Sequence, residues 1–166
     1  MLHSISVHEG SALDVLQEIF ANDANMRVTQ ASDGKIRMVE TDVPKDFLEV
    51  KIHRLSFDSD NHGSGMALYA ILNTPEVIDF MEHNVGSRKF WQGWGLPSDF
   101  IFVHKPSVRG ELNDVTVAQA LDYVLQTFPG FWTYQSCRTP QGQRKISVGF
   151  HDNLEPVSDS SPPKTQ

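Results

Sequence analysis

The stretch from Glu111 to Phe150 constrains the fold more than any other part of the chain. Val117, Ala120, Leu121, Val124, Leu125 and Phe128 recur at i, i+3, i+4, i+7, i+8 and i+11, which lays one apolar stripe along a helix. Thr116 stands at the N-cap, and Gln119 follows three residues later, the spacing of a capping box. Pro129-Gly130 ends the helix. Two strand-like runs follow, Phe131–Tyr134 and Lys145–Phe150, joined by the turn-rich Arg138–Arg144. A helix striped on one face must lie against something, and two adjoining strands supply it. The expected class is α+β, with a mixed, mainly antiparallel sheet, two principal helices on one face and a helical insertion.

Upstream, Ile5-Ser6-Val7 reads as a short strand and Ser11 as the N-cap of a helix reaching about Asn22. Ala12, Leu13, Leu16, Ile19 and Phe20 are its expected buried face. Met26–Gln30 and Lys35–Glu40 read as strands joined by Asp33-Gly34, a tight-turn pair. Leu48–His53 alternates like a strand, while Pro44 also suits the start of a short helix. Met66–Leu72 reads as a helix. Thr74-Pro75 begins another, with Pro at the position where its missing N–H costs least, Val77, Ile78 and Met81 inward, and Asn84 able to end it. Val85–Ser98 reads as a glycine-rich loop, Phe100–Val103 as a strand, and residues 153–166 as a disordered tail. The expected organisation is one domain over residues 1–152.

The chain has 166 residues, enough to bury a core without a disulfide or metal, and its lone cysteine, Cys137, excludes an intrachain disulfide. A net charge of −7 with no cluster of Lys and Arg argues against nucleic acid as a partner. No run of eighteen apolar residues is present, so no transmembrane helix is expected. The first ten residues lack a signal peptide's basic and apolar regions, which reads as cytoplasmic; a mature domain separated from its leader reads the same way.

Two helical segments echo one another. Ala12-Leu-Asp-Val-Leu-Gln-Glu-Ile-Phe20 aligns without gaps on Ala120-Leu-Asp-Tyr-Val-Leu-Gln-Thr-Phe128. Duplication and the convergence of two core helices explain this equally.

The run Leu112-Asn-Asp-Val-Thr-Val-Ala-Gln-Ala-Leu-Asp-Tyr-Val-Leu125 resembles the secretin and TonB short N-terminal domain, in which such a helix precedes a tyrosine-bearing strand and a final strand. Ser11-Ala-Leu-Asp-Val-Leu16 followed by Met26-Arg-Val-Thr29 resembles its first helix and strand. The resemblance covers residues 4–40 and 111–150, leaving 41–110 as an insertion. It implies a small α+β docking or signalling module of a bacterial, periplasmic or cell-envelope protein, with a protein partner, no cofactor and no catalytic residues.

The residues suited to chemistry form weaker patterns. Asp58-Ser-Asp60-Asn-His62-Gly63 begins like a calcium loop, but its fifth position is His62 and its twelfth is Tyr69 rather than a bidentate Glu, so it reads as a polar turn. Glu76, Asp79 and His83 share one helix face, where zinc coordination competes with a plain solvated face, and the solvated face is preferred. The seven histidines are scattered, Ser64 lacks the frame of a nucleophile elbow, and Cys137 has only Arg138 beside it. No catalytic or metal-ligating residue is therefore assigned. Phe90, Trp91 and Trp94, on the glycine-rich loop, are the candidate binding residues. They offer rigid aromatic area for a protein, a small ligand or a glycan, against the alternative that they fold back into the core.

Overall fold

The computed structural model describes residues 11–32, 34–57, 63–86 and 107–152 and the main chain of 91–92. The expected α+β class holds: among the described residues four helices stand with short, mostly antiparallel strands. The strands are divided among three small sheets rather than gathered in one. Two compact units meet in sequence between Pro44 and Lys45. The strand expected at Ile5–Val7, that at Phe100–Val103 and the tail lie outside the described residues.

In the first unit, helix α1 (Ala12–Ile19) precedes strands β1 (Met26–Gln30) and β2 (Ile36–Glu40). Ser11 caps α1: its hydroxyl accepts from the Asp14 N–H at 3.2 Å, and Asp14 accepts from the Ser11 N–H at 3.1 Å. The Ser11 hydroxyl also donates to Asp14 Oδ2 at 2.7 Å, and this bond, with the one from the Ser11 N–H, holds the Asp14 carboxyl below its ordinary range. The strands pair antiparallel from Met26↔Glu40 to Gln30↔Ile36, as the Asp-Gly turn predicts. The inward face of α1 differs from the expected one. Leu13, Leu16 and Phe20 are half-buried, Ala12 and Ile19 are exposed, and no described residue between 11 and 44 is fully buried. Two five-residue strands give too little surface to cover a two-turn helix.

The second unit holds the core. It opens on a turn at Asp46–Glu49, where Leu48 and Glu49 donate to the Lys45 carbonyl, so β3 runs Lys51–Phe57 and starts later than the alternation at Leu48 suggests. The turn buries Phe47 completely. Helices α2 (Ser64–Leu72) and α3 (Pro75–Val85) follow. Then come a two-residue strand β4 (Trp91–Gln92), strand β5 (Gly110–Thr116), helix α4 (Val117–Val124), and the long strands β6 (Gly130–Arg138) and β7 (Arg144–Asp152). β3 pairs antiparallel with β5; β7 lies between antiparallel β6 and parallel β4.

Pro75 takes the first helical position as expected, but Thr74 does not cap α3 with its side chain. Its hydroxyl is buried and donates back to the Ile71 carbonyl at 2.9 Å, closing the end of α2 instead. α4 has the predicted box: Thr116 Oγ1 accepts from the Gln119 N–H at 3.2 Å, and Gln119 Oε1 accepts from the Thr116 N–H at 2.8 Å. The two remaining first-turn donors, Val117 N–H and Ala118 N–H, reach the carbonyls of Val50 and Leu48. Val117, Ala120, Leu121, Val124 and Phe128 are buried and Leu125 is half-buried, but α4 ends at Val124 rather than at Pro129-Gly130, and the turns after it carry Phe128 into the core. Thr116→Ala is expected to cost about 1 kcal/mol, seen as a lower urea midpoint at unchanged slope, with Thr116→Ser recovering most of it.

Candidate interaction surface

The β6–β7 ribbon pairs without interruption over nine positions, from Gly130↔Asp152 to Arg138↔Arg144. Its inward residues are held by specific polar bonds. Arg144, whose side chain is only 12% exposed, makes a two-pronged bond to Asp46, with both N···O distances 2.6 Å. Its Nε donates to Ser136 Oγ at 2.9 Å, and its guanidinium lies 5.8 Å from the Phe80 ring centroid. The hydrogen bonds that Arg144 donates hold the Asp46 carboxyl below its usual range, and their acceptance by Asp46 holds Arg144 firmly cationic. Phe47 stacks on Tyr134 at 5.8 Å and meets Phe80 edge-on at 5.7 Å; burial pushes the Tyr134 hydroxyl up. One cation therefore ties the opening turn, α3 and both strands of the ribbon together.

Two further bonds fix the ribbon's other end. Trp132 Nε1 donates to Asp122 Oδ1 at 2.9 Å, joining β6 to α4. Ser64 Oγ donates to Asp152 Oδ2 at 2.7 Å, joining the start of α2 to the last residue of β7.

The outward residues of β6 differ in kind. Phe131, 54% exposed, stacks on His151 at 4.7 Å, and Gln135 and Cys137 are exposed. No charged residue occurs from Gly130 to Cys137. On the other side of β7, β4 brings the main chain of Trp91 into register with Ser147. Phe90 and Trp94 lie outside the described residues, as do His3, His8, His62, His104 and the Asp58–His62 stretch.

The Glu76–Asp79–His83 face separates into two parts. Asp79 and His83 are solvated and paired, with His83 Nδ1 3.2 Å from Asp79 Oδ1. Glu76 is not on the solvated side as expected. It is half-buried, its Oε1 accepts the His53 N–H at 3.1 Å, and its Oε2 has no hydrogen-bond partner among the described residues. His53 Nδ1 in turn lies 3.1 Å from Asp114 Oδ1, both side chains being exposed. Asp114 has φ +53°, a left-handed conformation that Asp tolerates better than most residues, and the β3–β5 ladder skips the His53–Asp114 position. No group of three potential metal ligands converges among the described residues. No helix among them is long and apolar enough to cross a membrane.

No family model matches the sequence, and no curated protein or solved structure is significantly similar to it. The surface must therefore be read from its own chemistry.

Sequence reasoning missed Arg144, Asp46, Phe131 and the His53–Asp114 contact. The first two lie 98 positions apart, and no local pattern announces their pairing. Phe131 was legible as a strand residue, but its exposure depends on which face of the ribbon meets the core.

Proposed function

We propose that the chain is a non-catalytic docking module that binds a protein partner at the outer edge of β6. The observation that carries this reading is the contrast within one strand. The polar side chains with the firmest geometry around the ribbon, Arg144, Asp46, Trp132 and Asp122, tie elements to one another, while β6 turns Phe131, Gln135 and Cys137 outward. Among the described residues no strand lies on the outer side of β6. An exposed edge of this length offers main-chain donors and acceptors to an added strand. The order of capped helix, Tyr134-bearing β6 and final strand β7 is also that of the bacterial envelope domain the sequence resembles. That supports a periplasmic or envelope location for the docking event.

A photo-cross-linking residue in place of Gln135, in the native cell, tests the reading. Adducts to another polypeptide are expected from Gln135 and not from the exposed control position Glu49 on the opening turn. Equal yields from both positions, or none from either, would overturn it. A second reading draws on β4, which sets Trp91 beside β7: stacking of a small ligand or glycan on Trp91 and Trp94. Acrylamide quenching of tryptophan fluorescence that a glycan library suppresses would favour that reading, and quenching unaffected by every glycan would remove it.

A further inference from the structure

The edges of the small sheets are not equally guarded. β1 and β2 have five residues each and carry Arg27, Arg37 and Glu40. On β3 the His53 N–H is taken by the Glu76 carboxylate, and β5 carries Glu111, Asp114 and a left-handed break in its ladder. Short length, charge, capped donors and local distortion are the devices by which edge strands avoid pairing. β6 has a single charge, Arg138 at its end, and none from Gly130 to Cys137. It is nine residues long, keeps continuous register with β7 and has no Lys or Pro.

Resting on the docking reading above, we infer that the occupant of the β6 edge is β6 of a second copy of this chain, antiparallel about a two-fold axis. Charge is the argument for a copy over an unrelated strand. The chain carries a net −7, which opposes self-association over most of its surface, yet the segment Gly130–Cys137 has no charge to repel its own image. A two-fold pairing centred on β6 sets Phe131 opposite Cys137 of the second copy and Gln135 opposite its Thr133. Arg138, the strand's single charge, then falls opposite the other copy's Gly130 at the far end. No like charges face each other at any position of such a pairing. An added peptide of different sequence would need charged or pocketed side chains on β6 to select it, and the exposed residues Phe131, Gln135 and Cys137 offer no such charge. The result is a continuous sheet across the axis, three strands from each copy, with a Phe131–His151 stack on each side.

The full chain, examined by sedimentation equilibrium, is expected to be dimeric, and Gln135→Lys is expected to make it monomeric. Gln135 is exposed, so the melting temperature of that variant measured under monomeric conditions should match the parent's. Mixing Gln135→Lys with Gln135→Glu should restore a heterodimer, because the two positions are diagonal neighbours across the axis. Phe131→Cys should form an interchain disulfide with Cys137 under mild oxidation, and Phe131→Cys combined with Cys137→Ser should not. A chain monomeric at every concentration, or a dimer indifferent to Gln135→Lys, would overturn the second-copy assignment. Gln135 adducts to other polypeptides would still leave the docking reading standing in that case. Absence of any Gln135 adduct, to the chain itself or to another protein, would remove both.

Discussion

Replacing Arg144 with alanine should cost about 3 kcal/mol and lower the melting temperature by roughly 10 °C. The side chain is 12% exposed and meets three other elements at once: Asp46 in the opening turn, Ser136 and Tyr134 on β6, and the Phe80 ring on α3. Truncation leaves the Asp46 carboxylate without its cation and Ser136 without a donor, and it opens space beside the stacked Phe47 and Tyr134 rings. The figure is set below that for a fully buried pair, because Asp46 is 47% exposed and water recovers part of the loss. Arg144→Lys should recover less than half of it. An ammonium places one point charge where the guanidinium spans both carboxylate oxygens.

The same contact predicts how stability responds to acid. The folded-state pKa of Asp46 is lowered, first by its hydrogen bonds from Arg144, so folding gains stability from this group above the unfolded carboxylate value near ~3.9. That gain is lost as pH falls from there through the lowered folded value. Urea unfolding of the parent should weaken across this window, and the Asp46 contribution to the slope should vanish in Arg144→Ala. A double-mutant cycle between Asp46→Ala and Arg144→Ala should show a coupling of about 1 kcal/mol or more. Additive losses would mean that the short contact adds nothing beyond each residue's own packing.

How much of this was legible in the sequence follows the reach of each interaction. Both capping boxes join residues three apart, and both are found in the structure. The sequence shows the α4 box directly as Thr116 and Gln119; at α1 it shows Ser11 as the cap, and Asp14 closes the reciprocal bond. The apolar stripe of α4 is equally local: its residues up to Val124 are buried as the spacing predicts, while beyond the helix end Leu125 is half-buried and Phe128 is buried from a turn. Thr74 marks where local reasoning ends: its backbone sits at the N-cap of α3, but the hydroxyl finds the Ile71 carbonyl, which the preceding helix supplies. Glu76 left its expected solvated face for a similar cause, since the His53 N–H lies 23 positions away in sequence. The echoing segments Ala12–Phe20 and Ala120–Phe128 lie at different offsets in their helices. Ala12 is the first residue of α1, whereas α4 begins at Val117, so the aligned segments do not share their caps.

Gly130→Ala should be the most damaging single-methyl change in the ribbon, at roughly 3 kcal/mol. Gly130 has φ +157° and opens β6 directly opposite Asp152. A methyl group there overlaps the His151 carbonyl oxygen and lies 2.9 Å from the Asp152 Cα, both of them main-chain atoms that no rotamer change can clear. The end of β7 has to move, and two contacts move with it. One is the Ser64–Asp152 bond at 2.7 Å that joins the ribbon to α2; the other is the Phe131–His151 stack at 4.7 Å. Gly142, in the turn at the opposite end, provides the internal control. Its φ of +79° also disfavours a side chain, but a methyl group there meets no atom of the described residues within 4 Å. Gly142→Ala should therefore cost only about 1 kcal/mol, the conformational part alone. The two variants separate steric from conformational cost within one hairpin, read by thermal unfolding and by amide exchange at His151 and Asp152. Equal losses would show that β7 yields freely at its end, and the Ser64–Asp152 bond would then have no part in holding the ribbon to α2.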